Sequence, residues 1–289
     1  MQEDQFLRDL QEHATTFTQA VATEQGEWIV KGFIDVYKRI YTISVDTKVV
    51  SKVLELLLFP ELVKFAAAHA YRLELSHQQN FYPDVTFISE AGTKYAVDIK
   101  STYRVDANRV NGMTLGAFTG YFRDRTSNKN TRFPYAEYTG HYVLGVIYSK
   151  GELHEQDERK TYTLDDLERI ASVIKDFMFF AQPKWRFASA LPGSGNTKNI
   201  GSVTLIDQLL NGAGPFATLG EEVYDDYWMF YLTKDMANRD QVVRPYMNLA
   251  TYIEYKQRSP AITLEEAKRL DEQDSGIADR DESEGVSEE

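Results

Sequence analysis

The sequence contains no cysteine, which excludes disulfide bonds, thiolate zinc sites and cysteine nucleophiles. None of its five histidines stands four residues from another, as a helical zinc site requires. The longest apolar runs, VLELLLF and FMFFA, are well below the roughly 20 residues that cross a bilayer. The N-terminus has no basic leader followed by an apolar run. We therefore expect a soluble, cytoplasmic protein in which oxygen atoms would hold any metal.

Positive charge is also scarce. The chain has 32 Lys and Arg against 44 Asp and Glu, a net charge of −12, whereas phosphate-binding proteins normally present a basic surface. Residues 263–289 hold 11 acidic and 3 basic side chains, so residues 1–262 carry only −4 and can still include a basic cleft. We expect residues 1–262 to form a single compact domain. Residues 263–289 are predicted to be an acidic, disordered tail that either aids solubility or imitates DNA.

Hydrophobic periodicity predicts an α/β fold with a mixed central β-sheet flanked by helices. Apolar residues at helical spacing indicate one helix over 3–22. A second helix begins at Asp46 or Thr47 and stops at Pro60, and helical spacing resumes over 61–70. Further helices are predicted near 165–180, 221–234 and 247–257, and strands are predicted at 71–75, 85–89, 94–103, 141–149 and 184–190.

The stretch NFYPDVTFISEAGTKYAVDIKSTY, residues 80–103, places charged residues within two predicted strands. If the AG dipeptide is a two-residue turn, Asp98 pairs with Val85 and lies about one residue from Asp84. Strand alternation places Asp98 and Lys100 on the same face. One edge of the hairpin therefore gathers two acids and one base.

Two carboxylates at this spacing repel each other, and a divalent cation relieves the repulsion. Hard oxygen ligands favour Mg²⁺, so Asp84 and Asp98 are candidate metal ligands, and Glu55 on the preceding helix can supply a further ligand or hold a water. Lys100 can orient or deprotonate a water, or stabilise the transition state of phosphodiester hydrolysis. The competing interpretation is a solvated hairpin with an Asp-Lys pair on its outer face.

The pattern PD…DIK resembles the signature of the PD-(D/E)xK nucleases, and several segments are similar to the EcoRV family of type II restriction endonucleases. The segments are DTKVVSKVLEL, QQNFYPD, VDIKSTY, TLGAFTGYF and GSGNTKNIGS, which follow in that order from about 46 to 202. The resemblance implies a restriction-endonuclease-like core with Mg²⁺ as cofactor. It also implies that Asp84, Asp98 and Lys100 are catalytic, with Glu55 as an accessory acid.

Two loops would contact DNA by the same resemblance. GSGNT is similar to the family's recognition loop, where glycine lets the backbone approach base edges and asparagine can pair with adenine, although alone it is an ordinary turn sequence. HQQN is similar to a loop near the minor groove, although its amides suit a strand cap equally well. The DNA-contacting residues that we predict are Gly193, Ser194, Gly195, Asn196, Thr197, Asn199, Gln78, Gln79, Asn80, Lys48, Tyr103 and Thr119.

The resemblance further implies a homodimer that cuts both strands of a palindromic duplex, with GATATC and blunt ends indicated by the recognition loop. A DNA methyltransferase would protect host DNA without forming a stable complex. Lys198 departs from the family, where a second threonine is expected, so a flanking contact would differ. Three alternatives stay open: a structure-selective repair nuclease, a non-cleaving DNA-binding regulator on the same fold, and an α/β protein unrelated to DNA.

Overall fold

The protein is described by a computed structural model for residues 4–43, 46–78, 80–151, 160–193, 198–256 and 269–271. The chain forms two compact units. The first comprises residues 1–75, 83–111 and 142–181, and the second comprises residues 76–82, 112–141 and 182–289. Each unit is therefore built from separate stretches of sequence, and the single domain expected over residues 1–262 stays a prediction.

Helices and strands are interspersed along the chain. The helices are α1 (Gln5–Ala14), α2 (Phe17–Val21), α3 (Thr47–Ala68), α4 (Lys184–Phe187), α5 (Ile206–Asn211), α6 (Glu221–Phe230), α7 (Lys234–Asp240) and α8 (Leu249–Lys256). The strands are β1 (Gly32–Ile34), β2 (Ile40–Thr42), β3 (Arg72–Leu75), β4 (Val85–Ile88), β5 (Lys94–Tyr103), β6 (Thr114–Ala117), β7 (Tyr138–Lys150), β8 (Thr161–Tyr162), β9 (Ile174–Pro183), β10 (Ala188–Pro192) and β11 (Asn199–Ser202). Among the described residues, no helix combines the length and apolar character that crossing a membrane requires.

The long helix α3 begins as its sequence predicts. The Asp46 carboxylate caps it by accepting hydrogen bonds from the amides of Lys48 (2.8 Å) and Val49 (3.1 Å). The predicted stop at Pro60 is wrong, because the helix continues through this residue. A proline in a helix removes one backbone hydrogen bond, but buried side chains on both sides of Pro60 keep α3 against the core. These buried residues are Val50, Leu54, Leu58, Leu62 and Phe65.

A five-stranded sheet in the order β3-β4-β5-β7-β9 is the centre of the first unit. Its β3–β4 and β4–β5 pairs are antiparallel. Val85, Phe87 and Val97 point toward one face and join the apolar core to which α1, α2 and α3 contribute. The predicted α/β architecture, a mixed central sheet flanked by helices, is confirmed.

The turn between β4 and β5 differs from the prediction by one residue. Val85 pairs with Val97 and Ile88 with Lys94, so the predicted pairing of Val85 with Asp98 is wrong. The turn is longer because the Ser89 amide donates to the Thr93 carbonyl (3.0 Å), which leaves residues 90–92 as a three-residue loop. Gly92 closes this loop with a positive φ of 83°, a conformation that glycine adopts without steric cost.

Two segments after β7 also differ from expectation. The helix predicted near 165–180 is wrong: a 3₁₀ helix spans Leu164–Arg169, and β9 follows from Ile174. Phe177, Phe179 and Ala181 contact the core at strand spacing, and packing against the sheet therefore decides the conformation. The strand predicted at 184–190 is wrong in its first half, because α4 precedes β10.

The second unit combines a small antiparallel sheet, in the order β10-β11-β6, with helices around an aromatic core. Tyr227, Trp228, Tyr246 and Tyr252 are fully buried there. The helices predicted near 221–234 and 247–257 correspond to α6 and α8.

Of the predicted tail, residues 269–271 are described and are helical. The Asp271 carboxylate accepts hydrogen bonds from the amides of Leu249 (3.0 Å) and Ala250 (2.9 Å) at the start of α8. The rest of residues 263–289 lies outside the described residues, so the prediction of a disordered tail is not tested.

Candidate active site

The β4–β5 hairpin places three charged side chains at its open end. Asp84 follows Pro83 and directly precedes β4, while Asp98 and Lys100 share one face of β5. Because Val85 pairs with Val97, Asp84 is opposite Asp98 in the antiparallel register. The Asp98 side chain is only 5% exposed, and those of Asp84 and Lys100 are each 26% exposed. The hairpin therefore presents a partly enclosed group of two acids and one base.

Hydrogen bonds fix the two carboxylates to each other's strand. The Asp84 amide donates to Asp98 Oδ1 (3.4 Å), and the Ile99 amide donates to Asp84 Oδ2 (2.8 Å). Lys100 Nζ lies 3.4 Å from Asp84 Oδ2 and 3.6 Å from Asp98 Oδ2. The structure thus brings together the three residues that the sequence predicted as a catalytic set.

Burial and like charge both act on this group. Burial raises the pKa of the Asp84 carboxyl, the ammonium of Lys100 opposes that rise, and the charges of Asp98 and Glu55 add to it. Burial alone would lower the pKa of Lys100, but attraction to Asp98 and Asp84 outweighs burial and raises it above the ordinary value. Lys100 is therefore an ammonium ion at neutral pH, held between two carboxylates.

Glu55 lies on α3 and has a lysine as its ion-pair partner. Its carboxylate forms an ion pair with Lys52 on the preceding turn of α3, with 2.7 Å between Nζ and Oε1. Within the described residues, no three His, Asp or Glu side chains gather as a metal-binding group, so Glu55 does not complete a triad of acids. A 2.7 Å hydrogen bond between the hydroxyls of Ser51 and Ser101 joins α3 to β5. The i, i+3 spacing of Lys52 and Glu55 on one helix is typical of such an ion pair.

The side chains of the hairpin suit a hard divalent cation. Asp84 and Asp98 offer adjacent carboxylate oxygens, the donor type that Mg²⁺ prefers, and water completes such a coordination shell. A cation between them would offset the mutual repulsion that contributes to the raised pKa of Asp84. The residues present therefore fit a magnesium site with two protein carboxylates.

The predicted recognition loop connects β10 and β11 in the second unit. The Gly193 amide donates to the Asn199 carbonyl (2.9 Å) and closes the base of the loop. A Cβ added at Gly193 would lie 2.9 Å from the Thr114 methyl, so a larger residue would require a shift. Asn199 pairs with Ala117 of β6 and is half-buried. Ser194, Gly195, Asn196 and Thr197 lie outside the described residues.

The other predicted DNA-contacting residues are distributed over both units. In the second unit, Gln78 and Asn80 are exposed and Thr119 is half-buried. In the first unit, Lys48 is exposed at the start of α3, and Tyr103 lies under the ammonium of Lys150, 3.5 Å from its ring centroid. Gln79 lies outside the described residues. Tyr103 also packs against the core, which supports a structural role for this residue.

Comparison with known proteins places these residues in a family. The family model described as restriction endonuclease EcoRV matches residues 24–257, a range that contains the hairpin, α3 and the recognition loop. The chain belongs to the EcoRV family of restriction endonucleases. It is similar to the type II restriction enzyme EcoRV of Escherichia coli, with 35% identity over 236 residues that cover 81% of this chain and 93% of the relative. Membership in the EcoRV family supports a site-specific nuclease that acts on DNA, and the resemblance expected from the sequence is confirmed.

Proposed function

We propose that this chain is a Mg²⁺-dependent type II restriction endonuclease that acts as a homodimer on palindromic duplex DNA. The observation that carries the proposal is the contact of Lys100 with both Asp84 and Asp98, at 3.4 and 3.6 Å. We assign both aspartates as metal ligands. Membership in the EcoRV family supports the same assignment, and Glu55 on α3 is proposed to supply a further metal ligand or to hold a water at the centre.

The chain's own residues perform definable steps in this reaction. Asp84 and Asp98 would hold the metal, and Lys100 places a fixed positive charge where negative charge builds up on the scissile phosphate. Bound Mg²⁺ would supply further positive charge and lower the pKa of a coordinated water. The Asp84–Ile99 hydrogen bond orients one carboxylate before DNA arrives, so less reorganisation is needed during the reaction.

We propose GATATC as the recognition site, with cleavage at its centre to give blunt ends. The supporting observation is the loop sequence GSGNT, which Gly193 and Asn199 close at its base. Asn196 is the proposed reader of adenine, and the remaining loop and amide residues predicted above are proposed DNA contacts. Lys198 replaces the second threonine that is expected in the family, so its contact with DNA beside the recognition site would differ from that of the relative.

The test is a panel of short duplexes that carry GATATC or a single base-pair change within it. We expect the wild type to cleave GATATC at its centre in Mg²⁺. We expect Asn196→Ala to lose about 1–3 kcal/mol of discrimination between the correct base pair and a wrong one at a single position of the site. Asp207→Ala, at an exposed residue of the second unit outside the loop, is the control for a general effect of substitution. Equal cleavage of all duplexes by the wild type would reject sequence recognition.

We propose that the β1–β2 hairpin binds the second copy of the chain. Phe33, Ile34, Val36 and Tyr37 are 52–89% exposed, which is unusual for adjacent large apolar side chains. β1 is also an edge strand in the order β1-β2-β8, so its backbone can pair with another chain. A two-fold dimer matches the symmetry of a palindrome, with each subunit cutting one strand.

The alternatives are separated by their products. A structure-selective nuclease would leave linear duplex intact, and a regulator would bind without cutting. The presence of Asp84, Asp98 and Lys100 in one contact group favours cleavage over regulation. The cytoplasm is the proposed location, with a methyltransferase that modifies host DNA as an independent enzyme.

A further inference from the structure

A cavity beside α7 and the start of α8 has no part in the proposed reaction. Its volume is about 380 Å³, at the lower end of the range of ligand-binding pockets. Ala237 and Tyr246, which line it, are buried, whereas Val242 and Met247 are 49% and 55% exposed at its edge. We call this cavity and its lining residues the α7–α8 groove. Its apolar lining suits an apolar side chain from a partner.

The charged residues that line the α7–α8 groove are both cations, Lys234 and Arg244. Lys234 is exposed. Arg244 donates a hydrogen bond from Nη2 to the Tyr231 hydroxyl (3.1 Å), which is a neutral group. The groove therefore combines apolar surface with positive charge, and its complement is an apolar side chain that has acids beside it.

Asp271 places the start of the acidic tail beside this groove. Its carboxylate accepts hydrogen bonds from the amides of Leu249 and Ala250 in the first turn of α8, where the helix dipole favours negative charge. Met247, which lines the groove, precedes Leu249 by two residues. Residues 272–289 therefore begin close to the groove.

The sequence of residues 272–289 has the complementary character. It contains eight acidic residues and one basic residue. Ile277 has Asp274 and Asp279 on its two sides. It lies six residues after the anchor of the tail, a distance that an extended chain spans over up to roughly 20 Å. The tail also lies beyond residues 24–257, which the family model matches, so the family does not account for it.

Docking within one chain needs little intrinsic affinity. The anchor at Asp271 holds Ile277 near the groove at an effective concentration that is roughly millimolar. Removal of the isoleucine side chain from water then stabilises the docked state. The contact can therefore form although the groove is small.

We propose that residues 272–289 dock in the α7–α8 groove of the same chain, with Ile277 in the cavity and its neighbouring acids on Lys234 and Arg244. The docked tail adds negative charge to the unit that carries the recognition loop, so it competes with the phosphates of DNA. The competition rests on the proposed nuclease function, whereas the docking does not. The tail is thus an internal inhibitor of non-specific DNA binding.

Because the chain has no cysteine, a single spin label can report on the tail. Ser283→Cys provides one site for a nitroxide in the full-length protein. At low salt, without DNA or metal, we expect a spectrum of slow motion that changes to one of fast motion in Ile277→Ser. Val286→Ser, at the other large apolar residue of the tail, is the control and should keep the slow spectrum. High salt should weaken docking, because screening reduces the attraction between exposed charges.

Substitutions in the α7–α8 groove test the contact from the other side. Lys234→Glu reverses one positive charge and Met247→Asp places a charge at the apolar edge, so each should give the label fast motion. Lys129→Glu, at an exposed lysine of the second unit outside the groove, is the matched control and should leave the motion slow. Circular dichroism of each variant shows whether the fold is kept.

Binding of a fluorescent duplex that lacks GATATC measures the competition. Ile277→Ser frees the tail without changing the charge of the protein, so a gain in DNA affinity comes from exposure of the groove. We expect this variant to bind the duplex on the order of tenfold more tightly than wild type at low salt, because apparent affinity follows the fraction of molecules with an open groove. Val286→Ser should bind like wild type.

The outcomes separate docking, competition and nuclease function. A label that moves fast in the otherwise wild-type chain, or that stays slow in both Ile277→Ser and Lys234→Glu, rejects docking. Slow motion that appears only as protein concentration rises assigns the groove to the tail of a second copy and rejects docking within one chain. Unchanged duplex binding in Ile277→Ser rejects the competition. Failure to cleave plasmid DNA rejects the nuclease function and leaves the result from the label intact.

Discussion

Asp84 and Asp98 lie opposite each other across the β4–β5 pair, with the Asp84 amide nitrogen 3.4 Å from Asp98 Oδ1. The three-residue turn at the other end of the hairpin sets this register. A turn of two residues would shift the pairing by one position and move Asp98 opposite Val85. The carboxylate pair therefore depends on a turn that lies at the far end of β4.

The turn provides the first prediction. Gly92→Ala should lower the free energy of unfolding by about 1 kcal/mol, because φ is 83° and an L-residue is strained in that region. No neighbouring atom lies within 4 Å of the added Cβ, so the cost comes from the backbone alone. Urea denaturation measures the change, with Glu90→Ala as the control in the same turn. A Gly92→Ala protein as stable as wild type would contradict the strained turn.

Lys100→Ala is the most direct substitution at the centre. We expect kcat to fall by a factor of about 10² to 10³ or more, because a fixed positive charge is removed from the reacting phosphate. Specific DNA binding should persist, since the proposed base-reading residues are elsewhere. Single-turnover cleavage and a gel-shift assay in Ca²⁺ measure the two effects, with Lys94→Ala on the same strand as the control. Undiminished cleavage by Lys100→Ala would remove Lys100 from the catalytic set.

Some features of the β4–β5 hairpin and of α3 could be predicted from the sequence, and others could not. The bounds of β5 and the cap at Asp46 follow from local patterns and agree with the structure. The register of β4 and β5 does not, because the same EAGT sequence permits turns of two or three residues, and the hydrogen bond from the Ser89 amide to the Thr93 carbonyl shows which one forms. The face that gathers the charges was predictable, since alternation holds in either register for Asp98 and Lys100.

Tertiary packing decided the elements that sequence reasoning missed. Around Phe177 and Phe179 a short apolar run suits a helix or a buried strand, and contact with the sheet selects the strand. At Pro60 the helix continues through a residue that normally ends one, because buried leucines on adjacent turns pack against the core. The position of Glu55 relative to the aspartates also requires the fold, since it depends on how α3 lies against β5.

Dimer formation should depend on the β1–β2 hairpin. Replacing Phe33 and Tyr37 with glutamate places charge on the proposed interface, so we expect the dimer to dissociate into monomers that remain folded. Sedimentation velocity across protein concentrations measures this change. Val243→Glu, at a residue that is 92% exposed in the second unit, is the matched control and should leave the association state unaltered. Dimers that persist in the double variant would locate the interface elsewhere.

His141 should make stability depend on pH. It is buried in the second unit, where its ring stacks on Tyr135 and its Nδ1 lies 2.7 Å from the Tyr82 hydroxyl. Burial, followed by the positive charges of Lys184 and Arg125, lowers the pKa of His141 well below its ordinary value. The titratable or charged groups that face it are Tyr82, Tyr135, Tyr138, Lys184 and Arg125.

The sign of the effect follows from proton uptake. Below pH of about 6.5 the unfolded chain binds a proton at His141 that the folded chain excludes, so acid favours unfolding. We expect this residue to contribute a loss of up to about 1.4 kcal/mol of unfolding free energy per pH unit below that point. Above pH of about 6.5, the neutral His141 makes its full contribution to the unfolding free energy. Denaturation from pH 5 to 8 measures the slope of the unfolding free energy against pH. The slope should be the same in wild type and in the exposed-site control His77→Gln, and it should be smaller in His141→Phe. An equal slope in His141→Phe would assign the dependence to other groups.

Digestion of a fully sequenced plasmid, with and without Mg²⁺, followed by sequencing of the fragment ends, shows whether the protein is a metal-dependent, site-specific endonuclease. We expect discrete blunt ends at GATATC that appear only with the metal and disappear in Asp98→Asn. Intact plasmid across a range of metals and salt concentrations, or ends scattered along the sequence, would contradict this function.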